Sequence, residues 1–75
     1  MLTEEKVIEV INGLVSGLKL DPKHTPYDAT LKSLGVDSLD VYNILIELET
    51  VTGRKVPDSD VEKLSTIKEL AEYFS

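Results

Sequence analysis

Hydrophobic positions divide this 75-residue chain into three amphipathic stretches separated by polar intervals. Val7, Ile11, Leu14 and Leu18 recur at helical spacing, with Val10 and Val15 beside them. That pattern predicts a helix from Glu4 to Leu18. Thr3 is placed to cap it, and Glu4 and Glu5 suit the positive end of its dipole. Gly13 and Gly17 lower the helical propensity of its final turns. Periodicity then dissolves from Lys19 to Asp37. Asp21-Pro22 and Thr25-Pro26 rule out a continuous helix there, because proline lacks the amide donor and restrains the residue before it. Leu20, Tyr27, Leu31 and Leu34 are the expected anchors of this long connection to the core. Its length suits a crossover between roughly parallel helices better than a tight antiparallel turn.

The second helix is predicted from Ser38 to about Thr52. Val41, Ile44, Leu45 and Leu48 form its core stripe, while Leu39, Tyr42 and Ile46 form a second strip towards the side of Ser38. Asp40 and Glu47 fall on the outer face. The second strip either widens the core contact, or lines a pocket entrance or meets partners at one-turn intervals. Gly53 is a good C-cap, and Pro57 blocks early re-nucleation. A short helix is expected from Asp58 to Lys63. The last runs from Ile67 to Phe74, with Thr66 and Glu69 spaced as a capping box and Tyr73 and Phe74 closing the core. There is no repeat and no alternating strand pattern. The reading is all-α: three main helices, one short one, and a long loop between the first two, as a single domain over residues 1–75.

Composition narrows the function classes. A chain this short buries only about 60% of its unfolded surface. Its 41% hydrophobic content supports one core and leaves too little for a separate catalytic cleft. Without cysteine there are no disulfides and no thiolate metal sites. No apolar run reaches the ~18 residues of a membrane span. The opening Met1-Leu2-Thr3-Glu4-Glu5 lacks the apolar block of a secretory signal, so a cytoplasmic protein is expected. The formal charge of −6, from 14 acids and 8 bases, disfavours nucleic acid and favours basic protein surfaces. No Lys or Arg occurs between Ser33 and Gly53, where Asp37, Asp40, Glu47 and Glu49 all fall. The acidity is concentrated around Ser38.

Ser38 stands where a glycine-containing loop becomes a helix, within Leu34-Gly35-Val36-Asp37-Ser38-Leu39-Asp40. Two readings stay open. Ser38 or Asp37 caps the helix, or an accessible hydroxyl on a rigid ledge is modified by another enzyme. Ser38 has no activating base, since the one histidine, His24, sits in a polar loop, so no catalytic residue is expected. One histidine cannot build a metal site, and the carboxylates match no EF-hand spacing. No metal is expected.

The same seven residues resemble the Asp-Ser-Leu modification motif of acyl carrier proteins. The similarity continues through Leu45, Leu48 and Glu49, then Val56-Pro57-Asp58, Glu62-Lys63 and the terminal helix. It implies a small four-helix bundle whose Ser38 receives 4′-phosphopantetheine from coenzyme A through a phosphopantetheinyl transferase, with Asp37, Leu39 and Asp40 positioning that enzyme. It implies acyl intermediates held as thioesters on the arm, for fatty-acid, lipid or polyketide-type synthesis. Asp40, Tyr42, Ile46, Glu47 and Glu49 become the surface for acyl- or aminoacyl-loading and processing enzymes with basic patches, and the carrier a monomer. Asn43 stands where the family usually has glutamate, Glu47 where it has a small apolar residue, and Thr50 where an acid is common. An aminoacyl or peptidyl carrier, or a small helical interaction domain with Ser38 only as a cap, are the alternative readings.

Overall fold

The computed structural model describes residues 2–75. In chain order it has α1 (Glu4–Leu14), a one-turn 3-10 helix (Lys32–Leu34), α2 (Ser38–Thr52), α3 (Asp58–Val61) and α4 (Ile67–Phe74). Among the described residues the only bridge of β type is an isolated pairing of Thr30 with Thr66. The fold is all-α, with three main helices and one short one.

Each of the three main helices starts where a side chain can satisfy an orphan amide. Thr3 accepts from the Lys6 amide, Asp37 from Asp40 and Thr66 from Glu69. The box at Thr66 closes unusually. The Glu69 carboxylate reaches past the cap to the amide and hydroxyl of Ser65, and also accepts from the Thr66 hydroxyl. These bonds, led by the Ser65 hydroxyl, hold the Glu69 carboxyl below its ordinary range. Gly53 ends α2 at φ 75°, donating to the Glu49 carbonyl at 2.8 Å.

The core is wholly apolar. Val7, Ile8 and Ile11 of α1, Ile44, Leu45 and Leu48 of α2, and Ile67, Leu70, Ala71 and Phe74 of α4 are buried together. α1 packs on both α2 and α4, and α2 meets α4 more lightly. Leu31 and Val36 enter the same core from the connection, and Leu20, Tyr27 and Leu34 pack at its margin.

Three boundaries or faces differ from the periodicity. First, α1 stops at Leu14, one turn before Leu18. Asn12 pairs both ends of its amide with Leu20, accepting the N–H at 2.8 Å and donating to the carbonyl at 2.9 Å. The chain must fold back to reach it, and Gly17 at φ 83° makes the turn. Second, the buried face of α1 is rotated towards Ile8, leaving Leu14 42% exposed. Third, α3 ends at Val61 rather than Lys63. Tight bonds from Lys63 to Asp60 and from Leu64 to Val61 unwind it there, and Leu64 drops into the core.

The long connection is tied to the start of α4. Leu31 donates to the Ser65 carbonyl at 2.8 Å. The Lys68 amide, an orphan in the first turn of α4, donates to the Tyr27 carbonyl at 2.9 Å.

Candidate functional site

The site is built from the turn that delivers the chain into α2. Leu31 and Val36 are both 2% exposed and act as its two feet in the core. Between them Val36 donates to the Leu31 carbonyl and Gly35 to the Lys32 carbonyl, closing a compact loop. Gly35 takes φ 96°, a conformation that a residue with a Cβ rarely adopts. Thr30 and Ser33 fasten the entry: the Thr30 hydroxyl accepts the Ser33 amide, and the Ser33 hydroxyl donates to the Thr30 carbonyl.

Asp37 follows as the cap of α2. Its Oδ1 accepts the Asp40 amide at 2.9 Å, and its carbonyl accepts the Val41 amide. Ser38 is the first residue inside the helix and is exposed. Its hydroxyl has no hydrogen-bond partner among the described residues. The reading of Ser38 as no more than a helix cap is therefore corrected: the cap is one residue earlier, and the serine oxygen is left over.

Ser38 opens onto a groove of about 830 Å³. Val36, Val41 and Tyr42 line one wall, and Val61 and Leu64 line the other. The far wall depends on α3, which buries no residue of its own. The Tyr73 hydroxyl donates to Asp60 Oδ2 at 3.3 Å and ties α3 to α4. Desolvation, followed by the Asp60 charge, pushes the Tyr73 phenol above its ordinary range.

The other sequence-predicted residues separate into two sets. Leu39, Tyr42 and Ile46 are 75%, 56% and 55% exposed, so this strip does not widen the core. Tyr42 also borders the groove beside Ser38. Asp40 and Glu47 are half-buried on the flank of α2 rather than on its outer face. Glu47 lines a shallow cleft with Val10 and Leu14 of α1 and Val51 of α2. Glu49 is engaged, its carboxylate accepting the Val56 amide at 2.7 Å across the α2–α3 connection. His24 lies exposed in the long loop, its Nδ1 2.7 Å from Asp21, whose carboxyl this contact lowers. Among the described residues no three His, Asp or Glu side chains converge as a metal site. The sequence reading missed Thr30, Lys32, Val61, Leu64 and Ser65, all of which line the groove. No local signal marks them, because they meet Ser38 only through the fold.

The arrangement suits a flexible anionic arm attached through an oxygen. It provides an exposed unbonded hydroxyl, the N-terminus of a 15-residue helix with amides directed outwards, and an open apolar groove beside it. Among the described residues no base is hydrogen-bonded to the serine, so nothing in this geometry makes it a nucleophile in its own right.

Residues 9–74 match the family model described as phosphopantetheine attachment site. The acyl carrier protein of Thermotoga maritima is 32% identical, with 99% of this chain and 94% of that protein covered. The acyl carrier protein of Campylobacter hominis is 36% identical over 91% of this chain and 78% of its own length. The chain thus belongs to the acyl carrier protein family, whose members act as carriers rather than catalysts and bear a covalently attached 4′-phosphopantetheine.

Proposed function

We propose that Ser38 is the attachment point of the 4′-phosphopantetheine arm. The observation that carries this reading is the division of labour at the start of α2. Asp37 satisfies the helix amide, and the Ser38 hydroxyl is exposed with no bond to break before modification. When bound, the arm supplies a terminal thiol that holds an acyl group as a thioester. The protein's own residues orient the arm, and the apolar groove beside Ser38 shelters what it carries.

The chain serves fatty-acid, lipid or polyketide-type synthesis, as a monomer in the cytoplasm. Its partners are a phosphopantetheinyl transferase and acyl-loading and acyl-processing enzymes with basic docking patches. Asp37 and Leu39 flank the serine and meet the transferase. Leu39, Tyr42 and Ile46 supply short-range apolar contact, and Asp40, Glu47 and Glu49 supply the negative field. Such a field speeds encounter and sets orientation while allowing rapid release, which a shuttling carrier needs.

Intact-protein mass spectrometry after incubation with coenzyme A, magnesium and a broad-specificity phosphopantetheinyl transferase tests the site. Wild type gains one phosphopantetheinyl group and Ser38→Ala gains none. Modification of Ser38→Ala overturns the assignment. Loading of the holo form by an amino-acid adenylating enzyme, and by no acyl transferase, replaces the acyl reading with an aminoacyl one.

A further inference from the structure

We propose that Lys32 is the counter-ion of the prosthetic arm, its ammonium group pairing with the phosphodiester on Ser38. The proposal rests on Ser38 as the attachment point. A phosphodiester keeps one negative charge at every pH at which the protein is folded. At Ser38 that charge falls between Asp37 and Asp40, in a stretch from Leu34 to Thr52 without a single Lys or Arg. The outward amides at the start of α2 offset part of the repulsion. One of them, from Asp40, is already bonded to Asp37. A compensating cation has to come from another element.

The turn before α2 supplies it. Lys32 opens the 3-10 helix, and the bonds from Gly35 to Lys32 and from Val36 to Leu31 fold the chain back on itself. Lys32 and Ser38, six positions apart, thereby line the same groove. Lys32 is the only cationic side chain among the described residues of that lining, which also holds Asp37 and Glu62. It is exposed, and no carboxylate of the described residues lies within 4.0 Å of its amine. Lys6, Lys63 and His24, by contrast, each have an acidic partner. A compact ammonium on a flexible stem suits a phosphate that must remain free to swing with its arm. Lys32 is thus a positioning residue: it holds the root of the arm over the groove and away from the Asp37 and Asp40 carboxylates.

Competitive acetylation of lysines, read by peptide mass spectrometry on the apo protein and on enzymatically loaded holo protein, tests this. At about 0.02 M salt Lys32 should acetylate about threefold or more slowly in the holo form, while Lys19, Lys23 and Lys68 keep their apo rates. At about 1 M salt the difference should vanish, because screening removes an exposed ion pair. Equal Lys32 rates in both forms overturn the proposal. So does protection that survives high salt, since the arm then merely covers the amine. A sample whose intact mass shows no arm on Ser38 overturns the attachment site, and this inference falls with it.

Discussion

At the scale of single residues, Asp37 and Ser38 are both good helix caps, and the identity of neither decides which one caps. The decision is made by Val36. Its burial beside Leu31 fixes where the chain enters α2, and that sets Asp37 rather than Ser38 at the last extended position, with ψ 176°. Two substitutions should separate accordingly. Asp37→Ala loses the bond to the Asp40 amide and costs about 1 kcal/mol. Ser38→Ala removes a hydroxyl with no partner and stays within about 0.5 kcal/mol of wild type. Urea denaturation of both variants measures the difference, and a larger loss for Ser38→Ala contradicts the placement of the cap. The sequence reading could go no further than naming both residues, because an advance of one position along the helix is settled by burial.

At the scale of elements, the ends of α2 and α4 were legible because they are marked locally, by Gly53, Pro57 and the Thr66–Glu69 box. The end of α1 was not. Its apolar spacing continues to Leu18, and what stops it is an interaction across eight residues between Asn12 and Leu20. An asparagine in a helix carries no sequence mark of such a partner. The pairing matters because both Leu20 backbone groups are part-buried and would otherwise lose their partners. Asn12→Ala should therefore cost about 2 kcal/mol, the combined effect of a donor and an acceptor left unmet. The urea midpoint should fall, and the Leu20 amide should exchange faster with solvent. A variant with wild-type stability and unchanged Leu20 exchange shows that the loop is held by Leu31 and Tyr27 alone. The groove was illegible for a related reason. Its far wall comes from Val61 and Leu64, whose positions follow from the unwinding of α3 and from the Tyr73 contact with Asp60.

At the scale of the whole molecule, charge opposes compactness. Six net negative charges are gathered within a radius of gyration of 11.0 Å, and no Lys or Arg within α2 itself offsets the acids of that helix. Unfolding spreads these charges out, so self-repulsion destabilises the fold. If its partners present basic surfaces, as proposed above, the same field speeds encounter, and function and stability pull in opposite directions. At low ionic strength the Debye length is about 30 Å, wider than the molecule, and at 0.15 M it shrinks to about 8 Å. Coulomb energies at the dielectric of water then predict that the change in salt stabilises the fold by on the order of 1 kcal/mol. For a domain of this size that is a rise in Tm of about 4–8 °C. Glu47 offers a control: it is half-buried in the cleft between α1 and α2 and has no ion-pair partner among the described residues. Glu47→Gln should raise Tm at low salt and flatten its salt dependence, because one charge of the repelling set is gone. Thermal unfolding followed by circular dichroism from about 0.01 to 0.15 M NaCl measures both slopes. A Tm that ignores salt means that the acids are already neutralised by their local environment, and that the fold bears little electrostatic penalty for its steering field.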